Sequence, residues 1–323
     1  MSLTRHVGVD IGGTRVKVGL VDSAGTILAR ALVETADARC GPDALVGLIG
    51  DAIEALDGAA GADGVGVGVP GVLDAGGQRV VQSPNLPWID GFGLGPALAT
   101  RTGMAVRIDN DANCVIWGET RAGAGRVDGV PAPFLLGFAL GTGVGGGIVS
   151  DGALLRGARG RGAEIGHLCV DPHGPPCGCG GRGCLEQYAS QTGLLRAMRA
   201  CGLLDGPAAL VGPAAVAGTD PIVALFDAAE AGHPLAVSVV DAAGKALGVA
   251  IASLAAVLGP QMVIIAGGIA TRLEALSGAL EPALARHLAD TQQPPPPIRV
   301  GTLGTDAGVI GAALLFDDPA IAR

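Results

Sequence analysis

Aromatic residues are scarce in this 323-residue chain, at 2% of the total, and lysine occurs only twice. Apolar residues still make up 49%, which excludes a mainly disordered chain and predicts a core of Val, Leu, Ile and Ala. The few aromatic side chains leave little stacking surface for a large glycan, so a small ligand is favoured. At about 150 residues per domain, the length predicts two domains.

Basic residues are also fewer than acidic ones, at 21 against 30. The formal net charge is −9 and the isoelectric point is about 4.9, which argues against non-specific nucleic-acid binding, because that needs a basic surface. No run of 18 apolar residues lacks charges or turn residues, and the first residues lead directly into a predicted strand rather than into a signal peptide's apolar stretch. We therefore expect an enzyme of the cytoplasm, with neither nucleic acid nor membrane as a partner.

Short apolar segments alternate with segments of helical periodicity, which predicts an α/β architecture. Strands are expected at 6–10, 16–22, 27–34, 65–69, 105–109, 134–140, 146–150, 262–265 and 298–303, and helices at 43–57, 112–122, 271–288 and 306–315, with a mainly helical stretch over 188–258 that is interrupted at 202–220. A strand, a Gly-Thr turn and a second strand occur twice, with Gly13-Thr14 and Gly141-Thr142 lying 128 residues apart. This echo indicates two related halves, although a chain with 56 glycines also produces such matches by chance.

The two Gly-Thr turns are candidate phosphate-binding loops. Glycines allow a tight turn whose successive N–H groups point at an anion, and the Thr14 hydroxyl adds a further donor. Asp10, at the end of the preceding strand, is placed to hold Mg²⁺ through water. Neither turn is followed by Gly-Lys-Ser/Thr or by a helix, so neither matches a Walker A loop or a dinucleotide fingerprint. Two ordinary hairpins are the alternative interpretation.

Residues 108–113, Ile-Asp-Asn-Asp-Ala-Asn, lie where a strand changes to a helix. Ligands of α/β sheets bind at the carboxyl ends of strands, so an aspartate there can act as a general base toward a hydroxyl group. Asp and Asn are also preferred helix N-caps. The sequence therefore allows Asp109 or Asn110 to cap the helix while Asp111 performs chemistry.

A compact group of metal-binding residue types follows, formed by His167, Cys177, Cys179 and Cys184. Three thiolates and one imidazole match a closed tetrahedral structural zinc site, and three free thiols are the alternative. Glu164 and Glu186 flank this group, where they could accept hydrogen bonds from a polyol or lie on a solvated surface. The other cysteines, Cys40, Cys114, Cys169 and Cys201, are expected to pack in apolar settings.

Together these segments resemble the bacterial ROK sugar kinases (repressor, open reading frame, kinase), within the actin–hexokinase–Hsp70 superfamily. The resemblance covers nearly the whole chain, and the cysteine segment is its most specific part. It rests on DIGGTR at 10–15, GVPG at 68–71, NDAN with Gly118-Glu119 at 110–119, LGTGVGGGIV at 140–149, GAEIGH at 162–167, CGCGGRGCLEQYAS at 177–190 and AGG at 266–268.

The resemblance implies a two-domain actin-like ATPase (ribonuclease H-like) α/β fold with a cleft between the domains. The N-terminal domain is expected over 1–120, with a C-terminal helix at about 304–323 packing back on it. The C-terminal domain is expected over 121–303, with the zinc loop and the nucleotide site. The resemblance also implies ATP, Mg²⁺ and a structural Zn²⁺ as cofactors, and a homodimer or homotetramer.

The same resemblance implies a role for each matching residue. Asp111 would take the proton from the sugar 6-hydroxyl. The sugar would be bound by Gly71, Asn85, Asn110, Asp111, Glu164, His167 and Glu186. The cofactor-binding set is Asp10, Gly12, Gly13, Thr14, Arg15, Lys17, Thr142, Gly143, Gly267 and Gly268, with the last two on the adenosine side. His167, Cys177, Cys179 and Cys184 would be the zinc ligands.

The expected reaction is ATP-dependent phosphorylation of a hexose at its 6-hydroxyl, as in glycolysis. Ser83-Pro84-Asn85-Leu86-Pro87-Trp88 resembles the glucokinase subgroup, which favours glucose over N-acetylglucosamine, N-acetylmannosamine, fructose or allose. Polyphosphate is an alternative donor. A sugar-responsive repressor of the same family carries an N-terminal helix-turn-helix, whereas the first loop here begins at residue 10. A sugar-binding module without catalysis is disfavoured by Asp111 and the two loops.

The sequence departs from the family pattern at three places. Arg15 replaces the usual lysine, which keeps the charge but not its geometry. Gly162-Ala163 stands where Ala-Gly is usual before the glutamate, and Trp117 stands where a small residue is common.

Overall fold

A computed structural model describes residues 4–35, 41–205, 209–210 and 220–320. Cys40, most of the interruption expected at 202–220 and the last three residues of the expected C-terminal helix lie outside this range. In the described residues, the strands are β1 (Arg5–Ile11), β2 (Arg15–Asp22), β3 (Ile27–Glu34), β4 (Val65–Val69), β5 (Val72–Leu73), β6 (Val80–Gln82), β7 (Val106–Asn110), β8 (Arg126–Val127), β9 (Val130–Pro131), β10 (Leu135–Leu140), β11 (Val144–Ser150), β12 (Ala153–Leu154), β13 (Met262–Ala266) and β14 (Ile298–Val300). The helices are α1 (Pro42–Glu54), α2 (Leu94–Thr102), α3 (Asp111–Ala122), α4 (Glu186–Ala189), α5 (Gln191–Ala200), α6 (Pro221–Glu230), α7 (Pro234–Leu258), α8 (Leu273–Leu288) and α9 (Ala307–Ala313).

Two five-stranded sheets in the described residues have the same strand order. The first runs β3-β2-β1-β4-β7 and the second β12-β11-β10-β13-β14. In the first, β1 pairs antiparallel with β2 and parallel with β4, and β4 pairs parallel with β7. The matching order shows that the repeat of the Gly-Thr turns reflects two related halves rather than chance.

One interior strand of each sheet, next to the central strand, is an uninterrupted apolar run. β4, with the sequence VGVGV, and β13, with MVIIA, are buried along their whole length, as expected for parallel strands covered on both faces. β3 lies at the edge of its sheet and alternates between half-buried and exposed residues. The aliphatic core predicted from composition is therefore built around β4 and β13.

The C-terminal helix α9 packs on the first sheet and on α3. A Cβ atom at Gly66 would lie 1.8 Å from the Ala312 carbonyl oxygen, and one at Gly311 would lie 1.7 Å from the Cys114 carbonyl oxygen. Such backbone contact is possible only without side chains. Glu119 of α3 adds a polar tie, because its carboxylate accepts hydrogen bonds from the backbone N–H groups of Thr302 and Leu303 at 2.9 and 2.8 Å.

Packing divides the chain into two compact units. The first comprises Met1–Gly137, Gly146–Ala163 and Gly301–Arg323, and the second comprises Phe138–Gly145 and Glu164–Val300. These limits differ from the boundaries expected at 120 and 303. Ile116 of α3 lies against Gly137 and Gly147, which belong to the same unit.

Among the described helices, α7 is the one whose length and composition would allow it to cross a membrane. Of its most apolar window, 61% is buried within the structure, and it packs against α8. This burial is typical of a core helix.

Candidate active site

Acidic side chains of the first unit meet at the carboxyl ends of three parallel strands. The strand register places Asp10 of β1 beside Gly68 of β4, and Gly68 beside Asp109 of β7. Asp111 follows as the first residue of α3. The edge where α/β sheets bind ligands therefore carries three aspartates contributed by β1, β7 and α3.

Asn110 is the residue that caps α3. Its side-chain oxygen accepts hydrogen bonds from the N–H groups of Ala112 and Asn113 at 2.9 and 3.2 Å, and its amide donates to the Gly71 carbonyl at 3.1 Å. Capping satisfies orphan N–H groups of the first turn. Of Asp109 and Asn110, the two candidate caps, the structure therefore selects Asn110. The bond from its amide to Gly71 connects two residues that are both predicted to bind sugar.

The Asp111 carboxylate lies in an environment that disfavours its ionised form. Burial, reinforced by the negative charge of Asp10, raises the pKa of Asp111 to about 6. The Ala112 N–H, which donates to Asp111 Oδ1 at 2.9 Å, opposes this shift. A carboxylate with a pKa near 6 is ionised at neutral pH and still basic enough to accept a hydroxyl proton.

Asp10 is held between a cation and the C-terminal segment. Burial raises its pKa, and Lys17, whose Nζ lies 3.7 Å from Asp10 Oδ2, opposes that shift. The Lys17 ammonium also donates to the Thr305 carbonyl at 2.7 Å. Lys17, predicted to bind the cofactor, is therefore engaged with Asp10 and with the residues that lead into α9.

A buried ion-pair triad next to this cluster was missed from the sequence. Arg156 lies between Asp109 and Asp318, with one terminal guanidinium nitrogen 2.6 Å from Oδ2 of each. The two aspartate side chains are 4% and 0% exposed. No sequence signal identified the triad, because its members come from positions 109, 156 and 318 and fit no local motif.

The first Gly-Thr turn is closed by backbone and threonine contacts. The Gly12 N–H donates to the Arg15 carbonyl at 2.9 Å, and the Thr35 hydroxyl donates to the Gly12 carbonyl at 2.8 Å. Gly13 and Thr14 are exposed at the tip, as a ligand-binding turn requires. The Arg15 side chain pairs with Glu34 across the β2–β3 ladder at 3.0 Å.

A cleft of about 360 Å³ opens beside this turn in the first unit. It brings together Gly13 of the predicted phosphate loop and Asn85 of the predicted sugar wall. Its lining residues are Gly13, Thr35, Asn85, Leu86, Pro87 and Trp88.

The second Gly-Thr turn is held by residues of α4 and α5, all within the second unit. The Gln191 N–H donates to the Gly141 carbonyl at 2.9 Å, and the Thr192 hydroxyl donates to the Thr142 carbonyl at 2.8 Å. Glu186 accepts from the Val144 N–H at 3.1 Å, next to Gly143. Glu186, predicted to bind sugar, is therefore in direct contact with the predicted phosphate loop.

Gly267 lies against Leu140, directly before this turn, and Gly268 faces the side chain of Gln191. Gly267 has a φ of 92°, and a Cβ there would lie 2.4 Å from the Leu140 carbonyl oxygen. A side chain is excluded on both counts. The structure thus brings Gly267 together with the Leu140–Gly143 segment, as a nucleotide site in the second unit requires.

The segment before Glu164 shows the effect of one departure from the family pattern. Ala163 has a φ of 62°, in the left-handed region that suits glycine. A Cβ at Gly162 would lie 2.9 Å from the Arg156 carbonyl carbon. Glu164 follows as an exposed residue. The usual Ala-Gly order would therefore relieve Ala163 but crowd position 162.

The four predicted zinc ligands come together in the second unit. Their ligand atoms all lie within 4.8 Å of one another, with His167 Nδ1 3.6 Å from Cys177 Sγ and Cys179 Sγ 3.6 Å from Cys184 Sγ. Zn–S bonds of about 2.3 Å in a tetrahedron place sulfur atoms about 3.8 Å apart, so the spacing fits Zn²⁺. Burial, together with the neighbouring thiols, raises the pKa of Cys184 to about 12, and a bound cation would remove that penalty.

The remaining described cysteines divide by exposure. Cys114 is buried and Cys201 is half-buried, whereas Cys169 is exposed. The expectation of apolar packing was wrong for Cys169, because this residue lies in a loop that pairs through its backbone with Cys184 rather than in a core element.

The chain matches one protein family, and several known proteins resemble it over nearly its whole length. The ROK family matches residues 6–319. A curated glucokinase from Thermotoga maritima is 37% identical over 319 residues, covering 98% of this chain and 99% of that protein. A ROK hexokinase structure from Thermus thermophilus has a TM-score of 0.81 at 34% identity, covering 96% of this chain and 97% of that one. A ROK family glucokinase from Streptomyces griseus, in complex with glucose and AMPPNP, has a TM-score of 0.78 at 35% identity, covering 97% and 99%.

The chain therefore belongs to the ROK family. The predicted two-domain α/β fold of the actin-like ATPase type is confirmed by the duplicated sheets and by these solved structures.

Proposed function

We propose that this protein is a transferase that uses ATP to phosphorylate a hexose at its 6-hydroxyl, with glucose as the substrate. The observation that carries the proposal is the Asp111 carboxylate, whose pKa of about 6 and place at the strand ends suit a general base. Glucokinase names among relatives that match over nearly the full length support the choice of sugar.

We assign the sugar-binding residues from the family resemblance and from their local contacts. The hydrogen bond between Asn110 and the Gly71 carbonyl and the place of Asn85 in the cleft beside Gly13 support the first-unit members of this set. The proposed set is Gly71, Asn85, Asn110, Asp111, Glu164, His167 and Glu186.

We assign ATP binding to the two Gly-Thr turns. The exposed Gly13, Thr14 and Thr142 support phosphate contacts, and the position of Gly267 against Leu140 supports an adenosine-side role. The proposed set is Asp10, Gly12, Gly13, Thr14, Arg15, Lys17, Thr142, Gly143, Gly267 and Gly268.

Asp10 would hold Mg²⁺ through water, which fits a carboxylate whose burial makes its own ionisation costly. When bound, the metal would neutralise charge on the transferred phosphoryl group. The role of the protein's own residues is then to position the sugar hydroxyl and the phosphoryl group. Asp111 orients the sugar 6-hydroxyl and accepts its proton, the 6-oxygen forms a bond to the γ-phosphorus, and the bond to the β–γ bridging oxygen of ATP breaks.

We propose that the His167, Cys177, Cys179 and Cys184 cluster binds a structural Zn²⁺. Four protein ligands close such a site, so no position is left for a reactive water. The metal would fix the loop between Glu164 and Glu186, the two carboxylates assigned to the sugar. His167, which is exposed, would link the zinc site to the sugar.

Two further expectations stay proposals from the family resemblance: assembly as a homodimer or homotetramer, and a cytoplasmic role in glycolysis. Light scattering on the purified protein tests the first directly.

The proposed activity is tested by coupled ADP release with magnesium-ATP over glucose, mannose, fructose, allose, N-acetylglucosamine and N-acetylmannosamine. We expect the highest kcat/KM with glucose. Preference for an N-acetyl sugar would keep the base and the zinc site but reassign the pocket around Glu164. Formation of sugar phosphate with polyphosphate but not with ATP, measured on the product because polyphosphate releases no ADP, would reassign the donor. No product with either donor would refute the proposed kinase.

A further inference from the structure

Arg156 is a charged residue that the proposed reaction does not use, and it contacts Asp109, which precedes the proposed base by two residues. Its side chain is 22% exposed and its guanidinium contacts two nearly inaccessible carboxylates. Nε donates to Asp109 Oδ2 at 2.7 Å, and a terminal nitrogen lies 2.6 Å from both Asp109 Oδ2 and Asp318 Oδ2. Buried ion pairs are costly to desolvate and often add little stability, so a role beyond stability is indicated.

The other oxygen of Asp109 holds the start of α3. Asp109 Oδ1 accepts hydrogen bonds from the Asn110 N–H and from the Asn113 side-chain amide, both at 2.8 Å. Asn113 also donates its backbone N–H to the Asn110 cap. Asp109 is thus bound on both oxygens, by Arg156 on one side and by the first turn of α3 on the other.

Asp111 lies within this same turn. Because Oδ2 is bound by Arg156, rotation of the Asp109 carboxylate away from Asn110 and Asn113 would break the contact with Arg156. Asp318 pairs with the guanidinium by charge from the C-terminal segment, although its Oδ2 makes no hydrogen bond, and its Oδ1 accepts from the Ala320 N–H at 3.0 Å. The result is a chain of contacts from the C-terminal segment to the helix end that carries the base.

We propose that Arg156 is a positioning residue for phosphoryl transfer, fixing Asp109 and through it the helix end that carries Asp111, with Asp318 as its anchor. This inference rests on the proposed function. The mechanism is geometric: a small displacement of a positioned group lowers kcat because the base and the hydroxyl no longer meet in the reactive arrangement.

The test compares wild type with Arg156→Lys, Arg156→Ala and Asp111→Asn, with kcat expressed per folded molecule after circular dichroism and thermal melting. Lysine keeps the charge but loses the planar fork that contacts both carboxylates. We expect kcat of Arg156→Lys to fall about 10- to 100-fold. The KM for ATP should stay within about threefold, since phosphate contacts are assigned elsewhere. Added guanidinium should restore part of the kcat of Arg156→Ala.

A matched control is Arg159→Ala, in the same loop but exposed, which should leave kcat and KM unchanged. If neither Arg156 variant folds, Asp318→Asn takes their place, because it leaves the Arg156–Asp109 contact and removes only the anchor; its kcat should fall while the KM for ATP holds.

The outcomes separate the two claims. Unchanged kcat per folded molecule in the Arg156 variants, or in Asp318→Asn where that variant is used, would reduce the triad to a structural tie and overturn the inference while the kinase assignment stands. Full activity of Asp111→Asn would overturn both the base and the positioning role. A wild type without hexokinase activity would overturn the proposed function and this inference with it.

Discussion

The two Gly-Thr turns are built alike but are held by different parts of the chain. In each, a threonine from outside the turn donates its hydroxyl to a turn carbonyl at 2.8 Å: Thr35 to Gly12, and Thr192 to Thr142. Thr35 is buried and directly follows strand β3, whereas Thr192 is exposed and is the second residue of α5, 50 residues after its partner. The first turn is therefore locally stabilised, and the second depends on distant helical residues.

The residues around the two turns also differ in chemistry. The counterpart of Asp10 at the 128-residue repeat is Phe138, which is fully buried. The first unit carries an aspartate at this strand end, whereas the second carries a buried core residue there and holds the Cys/His cluster elsewhere. The two related sheets therefore carry different groups: the proposed base lies in the first unit, and the proposed nucleotide and zinc sites lie in the second.

The largest expected effect comes from removing the base in the first unit. Asp111→Asn keeps shape and leaves the Asn110 cap in place, but it removes the proton acceptor. We expect kcat to fall about 10²- to 10⁴-fold. Steady-state kinetics with glucose measure this, with Asp290→Asn on the exposed surface as the control. Near-native turnover would falsify the assignment of Asp111.

The second unit is tested through its metal cluster. Cys179→Ser removes one of the four proposed ligands, and we expect loss of bound zinc and weaker glucose binding, since the loop from Glu164 to Glu186 loses its anchor. Metal analysis, thermal melting and glucose titration measure the result. The exposed Cys169 supplies the control Cys169→Ser, which should retain zinc. Full glucose affinity in a zinc-free sample would contradict the proposed role.

The dependence on pH follows from the raised pKa of Asp111. Because the folded-state pKa, about 6, exceeds the ordinary value of 3.8, the folded state binds this proton more tightly than the unfolded state. The stabilising contribution of protonated Asp111 is therefore complete below about pH 4 and is lost as the pH rises through about 6. Activity has the opposite dependence on pH, because Asp111 must be ionised to accept the proton.

We expect kcat/KM for glucose to fall as the pH drops through about 6. In denaturant unfolding at pH 8, Asp111→Asn should be more stable than wild type by roughly 1 to 3 kcal/mol, and this difference should shrink at acidic pH. A constant difference between pH 5 and pH 8 would mean that the shift arises elsewhere.

The smallest expected effects distinguish the two threonine contacts. Thr35→Val removes a buried hydroxyl donor and should lower the free energy of unfolding by about 1–2 kcal/mol. Thr192→Val acts at an exposed site, so it should change stability by less than about 0.5 kcal/mol. It should raise the KM for ATP a few-fold, because the loosened turn carries the proposed phosphate contacts. Denaturant unfolding and ATP kinetics on both variants measure this contrast. Equal changes in stability and in the KM for ATP would show that the two contacts do not differ as proposed.

Several parts of the fold were predictable because their signals are local. The buried strands at 65–69 and 262–265 are continuous apolar runs, and β4 and β13 occupy those positions. The helix α2 at Leu94–Thr102 was not predicted, since its low amphipathicity and internal Gly95 and Pro96 resemble a loop.

The sequence by itself determined the α/β pattern, the two Gly-Thr turns and their spacing, the four clustered metal-binding residues and the candidate base. Each is encoded by residues close together in the chain or by a repeat along it. Only the tertiary structure decided that Asn110 is the cap, that burial and Asp10 raise the pKa of Asp111, and that Arg156 lies between Asp109 and Asp318. Burial and charge pairing depend on distances in space between residues far apart in sequence, which no local pattern records.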